Sequence, residues 1–332
     1  MKQYNYCLDF IKGIACIFVV FMHCEFPGIM GIIVQAVSRF CVPLFFMVSG
    51  YFSYRATNLQ RGSAWLFNSK VRHIAKITIN ASLFYLTFVI IQSFLFDNVN
   101  WHITLGRLGK FLLFNSPPII AGQYWFLFAL LYIYILYAII ERFNLQKYAY
   151  PFAGFMFISY IIMAQGMHLI GISIPNMFYR NFLVEGFAFF MLGHWIHKNQ
   201  ADLKISNEVL IIIVVISTLL CLLERYLLGR DFGVNIVTIP QVFALFLYAI
   251  NNPQKHKGFI QEIGRRYSMY VYILHPFVWH TLEYLYEYYN IITNTVALYL
   301  MPLIVLVISL LLSHIVYVGI IRLAIQKKSA NA

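Results

Sequence analysis

The sequence predicts an all-α integral membrane protein, a bundle of about ten transmembrane helices with N- and C-termini in the cytoplasm. Three observations predict it. Of the 332 residues 61% are hydrophobic and only 11% are charged, against roughly 25% charged in an average soluble domain. Apolar segments long enough to cross a bilayer recur along the whole chain. Lysines and arginines gather in alternate connections between those segments, the asymmetry that sets orientation in a membrane. The net charge of +12 is scattered among apolar segments and builds no separate basic domain, so the expected partner is the lipid bilayer and no nucleic acid is expected. The 31 Phe and 24 Tyr supply rings that fill helix bundles and sit at membrane interfaces.

About 20 residues at 1.5 Å each cross a roughly 30 Å hydrocarbon layer. The first apolar segment, near 10–29, could pass for a secretory signal. No small-residue cleavage site follows it and apolar segments continue beyond it, so it reads as the first transmembrane helix. The second, near 33–54, carries Arg39 and ends at Arg55. The third, near 74–96, follows the densest basic stretch of the chain: Arg55, Arg61, Lys70, Arg72, His73 and Lys76. Residues 101–122 hold Trp101, His102, Arg107 and Lys110 ahead of Pro117-Pro118 and read as an amphipathic segment at the interface. Spans near 123–141, 148–166, 181–198, 207–224, 234–251, 267–288 and 296–321 complete the ten. With the N-terminus inside, all but six of the 24 lysines and arginines fall on the cytoplasmic side; the six are Arg39, Arg107, Lys110, Arg180, Arg225 and Arg230. The chain reads as one domain, 1–332, in the plasma (inner) membrane, without linker or internal repeat. Its five cysteines, Cys7, Cys16, Cys24, Cys41 and Cys221, form no C-x-x-C and read as small buried hydrophobes.

The residues that bear chemistry stand out against this background. Between Lys12 and His23 an α-helix turns through about 1100°, three turns and about 20°, and rises roughly 16 Å. Both side chains share one face. With Lys12 at the cytoplasmic end His23 lies past mid-membrane, where an ionisable group is by default a functional candidate. The spacing alone fits equally a packing histidine and a lysine snorkelling to the interface. Arg39, counted back from Arg55, falls near the depth of His23, and two such groups at one level imply a polar cavity. Ser49-Gly50 permits close helix approach. Lys70, Arg72 and Lys76 suit phosphates, although the positive-inside rule accounts for them too. His194 and His197 have metal-ligand spacing but no third ligand, so no metal is expected.

The order of several stretches resembles the membrane acyltransferase-3 family: the K-x10-H pair of Lys12 and His23, VPLFFMVSGY, KVRHIAKI, QYWFLFALLYIY at 123–134 and YSMYVYILHPF at 267–277. Length and single-domain layout are similar to the enterobacterial common antigen O-acetyltransferase type. Lys12 departs from the arginine common in the family, keeping the charge but losing bidentate contact. The resemblance implies a ten-helix enzyme that takes an acyl group, usually acetyl from cytoplasmic acetyl-CoA, to a hydroxyl of a surface glycan or its lipid-linked precursor. On that scheme Lys70, Arg72 and Lys76 meet the CoA phosphates, and the pantetheine arm runs along the face of Lys12 and His23. His23 acts as general base or carries an acetyl-histidine intermediate. Arg39 stabilises the oxyanion or serves as counter-ion to Glu185. His275 lines the site. Tyr124 and Trp125 form a platform for a sugar or part of an aromatic belt. Oligomeric state is not set by the sequence. A second reading is an exporter of polysaccharide or lipid-linked sugar that does no chemistry; paired broken helices would mark it, and no clear pair is present.

Overall fold

A computed structural model describes residues 4–56, 62–96, 104–116 and 122–329. Lys2, Arg61, Trp101, His102, Pro117 and Pro118 lie outside them. Every regular element among the described residues is helical. In chain order these are α1 (Tyr6–His23), α2 (Gly28–Val37), α3 (Cys41–Ala56), α4 (Gly62–Trp65), α5 (Arg72–Phe96), α6 (Leu105–Phe114), α7 (Trp125–Arg142), α8 (Gln146–Ile161), α9 (Met167–Leu169), α10 (Ala188–Lys198), α11 (Asn207–Leu228), α12 (Thr238–Asn251), α13 (Phe259–Glu262), α14 (Ser268–Tyr288) and α15 (Thr295–Ser329).

Among the described residues seven helices are long and apolar enough to cross a bilayer: Tyr6–His23, Gly28–Tyr54, Leu66–Phe94, Gly122–Arg142, Gln146–Leu169, Asn207–Leu228 and Thr295–Arg322. They coincide with seven of the ten expected spans. The other three expected segments are helical but do not reach that standard. One is a π-helical stretch, Phe182–Phe187, running into α10; another, α12, has only 14 residues. In α14 the apolar run is diluted by His275, His280, Glu283 and Glu287.

Local chemistry sets the first helix ends. Asn5 caps α1 by accepting from the Leu8 N–H at 2.8 Å, and Asp9 in the first turn complements the helix dipole. The helix stops at His23, short of the expected residue 29, because Pro27 and then Gly28, at φ 65°, redirect the chain. The next span therefore begins earlier than expected, at Gly28. It is interrupted by a 3-10 turn, Ser38–Phe40. Pro43 explains the interruption, since it lacks an N–H and its ring crowds the carbonyl four residues back, that of Arg39.

Helices meet at glycines. A Cβ on Gly50 would lie 1.8 Å from the Phe190 carbonyl oxygen, and one on Gly193 would lie 2.0 Å from that of Met47, so α3 and α10 cross in backbone contact. The Ser49-Gly50 expectation holds. Gly13 and Gly264 bring α1 equally close to α13 and the π-helical Ile263–Tyr267, against the carbonyls of Ile260 and Asp9. Around this centre α5, α11 and α15 expose rows of Ile, Leu and Val, the surface that hydrocarbon covers. Of the expected interfacial segment, α6 is described; Thr104 caps it, and Leu105, Leu108, Leu112 and Leu113 are exposed.

Candidate active site

Four residues spaced four, three and four apart, Lys12, Cys16, Val19 and His23, form one stripe along α1. The first three line a cavity of about 270 Å³ together with Phe45, Ser49, Phe126 and Tyr272. The fourth, His23, lines a second pocket of about 420 Å³ with Glu25, Trp279, Glu283, Tyr286 and Glu287. A single helix face thus carries one cavity at its Lys12 end and another at its His23 end.

At the Lys12 end the ammonium is 2.8 Å from Asp9 Oδ1, and the Tyr4 hydroxyl donates to the same carboxylate. At the other end the ring of His275 stacks on His23, with centroids 5.3 Å apart and planes 28° apart. His275 is fully buried. Its Nδ1 lies 3.0 Å from the Val271 carbonyl oxygen. A carbonyl only accepts, so Nδ1 carries the hydrogen and the neutral ring presents a lone pair at Nε2. That Nε2 is buried without a protein partner.

Beside the histidines lies a cluster of charge. Arg39 Nη2 donates to Gln35 Oε1 at 2.6 Å and sits 3.5 Å from Asp231 Oδ2, which also pairs with Arg225 Nε at 2.9 Å. Gln35 in turn donates to Glu25 Oε1 at 2.8 Å and to the Met22 carbonyl at 2.7 Å. A run of hydrogen bonds, completed by the Arg39–Asp231 ion pair, therefore joins the pocket of His23 to Arg225. Glu185 is not the ion-pair partner of Arg39: the turn after α11 delivers Asp231 instead, and Glu185 Oε2 is buried unpartnered.

The remaining expected site residues separate. Arg72 and Lys76 are exposed and Lys70 half-buried; none of the three lines either cavity. A wider groove of about 590 Å³ adjoins the Lys70 stretch, lined by Phe67, Asn68, Ile139 and Arg142 among others. Tyr124 and Trp125 are buried and line neither cavity. The Tyr124 hydroxyl donates to the Ile273 carbonyl at 2.6 Å, which fixes α14 against the start of α7. His194 is held by the hydroxyls of Tyr137 and Tyr150 at 2.6 and 2.9 Å, and His197 contacts the Tyr51 carbonyl at 2.6 Å. No group of three or more His, Cys, Asp or Glu suited to a metal ion occurs among the described residues.

Sequence reasoning passed over Asp9, Gln35, Glu25 and Asp231. Gln35 had a signal: a polar side chain one turn before Arg39 inside an apolar helix requires a partner. Asp231 had none, because its approach to Arg39 depends on tertiary packing.

The sequence model of the acyltransferase-3 family, described as an acyltransferase domain, matches residues 5–318. No curated protein and no solved structure matches the chain.

Proposed function

Because the chain belongs to the acyltransferase-3 family, we propose that it is a membrane O-acyltransferase moving acetyl from cytoplasmic acetyl-CoA to a hydroxyl of a cell-surface polysaccharide or its lipid-linked precursor. The observation that carries this reading is the α1 stripe, on which the Lys12 cavity and the His23 pocket follow one another.

The Lys12 cavity suits the donor's pantetheine arm. It is mostly apolar, includes the Lys12 cation in its lining, and follows α1 from Lys12 through Cys16 to Val19, one turn short of His23. The donor's phosphates require basic partners, and Lys70, Arg72 and Lys76 are the proposed ones, outside the cavity. The thioester supplies an acyl carbon already activated toward attack. On the acceptor side Trp279 and Tyr286 offer ring faces to a sugar and the carboxylates of Glu25, Glu283 and Glu287 accept from its hydroxyls. His23 takes the proton of the attacking hydroxyl, and Arg39 stabilises charge on the carbonyl oxygen. His275, stacked behind His23, sets the ring's orientation.

The test is base-labile O-acetyl on surface glycans, read by NMR of purified material. Cells carrying no copy, the native chain or His23→Ala at matched membrane abundance are compared. Acetyl found only with the native chain is the expected result. Equal acetylation in all three, with glycan missing from the surface of cells lacking the chain, would instead favour export.

A further inference from the structure

Two helices carry the way from the Lys12 cavity to the His23 pocket. The Cys16 thiol on α1 meets the Ser268 carbonyl of α14 at 3.9 Å. Seven residues further along each helix the rings of His23 and His275 stack at 5.3 Å. The two helices therefore run side by side in the same direction, and residues between these contacts lie at intermediate depth. Val19 on α1 and Tyr272 on α14 are two such residues, and both line the Lys12 cavity.

At that depth the cavity lining becomes a cluster of rings. Tyr272 lies 5.5 Å from Phe126 between ring centroids, and Phe126 lies 6.2 Å from Phe45, each pair edge to face, a favourable aromatic arrangement. The Tyr272 hydroxyl donates to the Gln123 carbonyl, which holds its ring against the start of α7. All three rings line the cavity. Val19, 4% exposed, completes this level. It is the smallest of the four side chains and shares the α1 stripe with His23, one turn or about 6 Å away. Neither His23 nor His275 lines the Lys12 cavity, and neither Val19 nor Tyr272 lines the His23 pocket. This level is therefore the boundary between the two.

We propose that Val19 sets the size of the acyl group that this protein transfers, its two methyl groups admitting acetyl and excluding longer tails. This rests on the acyltransferase reading given above. A thioester brought along α1 from Lys12 arrives with its acyl tail leading, and the tail meets the boundary first. Three members of that boundary are rings packed on one another, which do not make room for added methylenes without strain. The space left to the tail is then decided at position 19. Each further methylene is expected to lower kcat/KM about tenfold or more, the discrimination that a close apolar wall provides.

The experiment uses the full chain in lipid nanodiscs with base-deacylated surface glycan from the source cells as acceptor. Radiolabelled acetyl-CoA and propionyl-CoA are compared, and the readout is the ratio of their kcat/KM values, with thermal melting of the same preparations. The native chain is expected to favour acetyl about tenfold or more. Val19→Ala, which removes two methyl groups, lowers that preference about tenfold, and Val19→Ile, which adds one carbon, raises it. Val20→Ala is the control: it opens the same space one residue along, beside Val271 and Val305, where none of the three lines either cavity, and it keeps the native ratio. If Val19→Ala melts too low to assay, the direction of the ratio in Val19→Ile decides. A native ratio in the Val19 variants, or an equal shift in Val20→Ala, overturns the role of Val19 alone. Absence of transfer by the native chain from either donor overturns the acyltransferase reading itself.

Discussion

The imidazoles of His23 and His275 stack at 5.3 Å, and His275, the more deeply buried ring, presents an Nε2 with no protein partner. Its Nδ1 is engaged by the Val271 carbonyl at 3.0 Å, so the orientation of His275 is fixed from its own helix. Stacking then transmits that orientation to His23, at the last position of α1.

His275→Asn separates the two nitrogens, because the amide N–H replaces Nδ1–H toward Val271 and nothing replaces the Nε2 lone pair. The expected result is a folded protein whose acyl transfer falls about 10²-fold, the scale of a lost proton-transfer or orienting group. Transfer kinetics with a melting curve decide it.

Lys12 lines the cavity proposed for the donor and is paired with Asp9 at 2.8 Å. Lys12→Ala is expected to raise KM for acetyl-CoA about tenfold while kcat changes little, the pattern of lost ground-state binding. Lys12→Arg, which keeps the cation, stays near the native KM. Steady-state kinetics across donor concentrations check both.

The α3–α10 crossing has no room for a methyl group at Gly50 or Gly193, where a Cβ would meet backbone oxygen at 1.8 and 2.0 Å. Alanine at either position is expected to lower stability by about 1–3 kcal/mol or more, as overpacking does. Gly154 on α8 has open space around it, and Gly154→Ala is expected to be neutral or stabilising by about 0.5–1 kcal/mol. Melting in detergent or nanodiscs distinguishes the three.

Asp231 is the carboxylate shared by Arg39 and Arg225. Removing its charge leaves two arginines in a largely buried place, and Asp231→Asn is expected to cost about 3–5 kcal/mol. The double variant Arg39→Met, Asp231→Leu recovers most of that stability and none of the transfer. Stability and turnover measured on the same preparations make the comparison.

The α1 stripe was legible because it needs only helical periodicity: Lys12 and His23 share a face wherever the helix ends. The end itself, set by Pro27 and Gly28, lies six residues before the expected boundary, since an apolar run continues past the proline and masks it. Span 234–251 fell short in length, since α12 has only 14 residues. Spans 181–198 and 267–288 carry Glu185, His275, Glu283 and Glu287, polar groups facing the bundle's centre or the His23 pocket. What the sequence hid was pairing at long range. Arg39 was visible as a buried cation, but Asp231 reaches it through the turn after α11.

In the proposed function the donor reaches His23 along the α1 stripe from Lys12, and the acceptor reaches it from the pocket of Glu25, Trp279 and Glu283. Sealed membrane vesicles of known sidedness, supplied externally with radiolabelled acetyl-CoA and carrying endogenous glycan, test it most directly. Inside-out vesicles bearing the native chain are predicted to incorporate label into glycan, whereas right-side-out vesicles and inside-out vesicles bearing His23→Ala do not. Label incorporated equally with His23→Ala, or from right-side-out vesicles alone, would contradict the account.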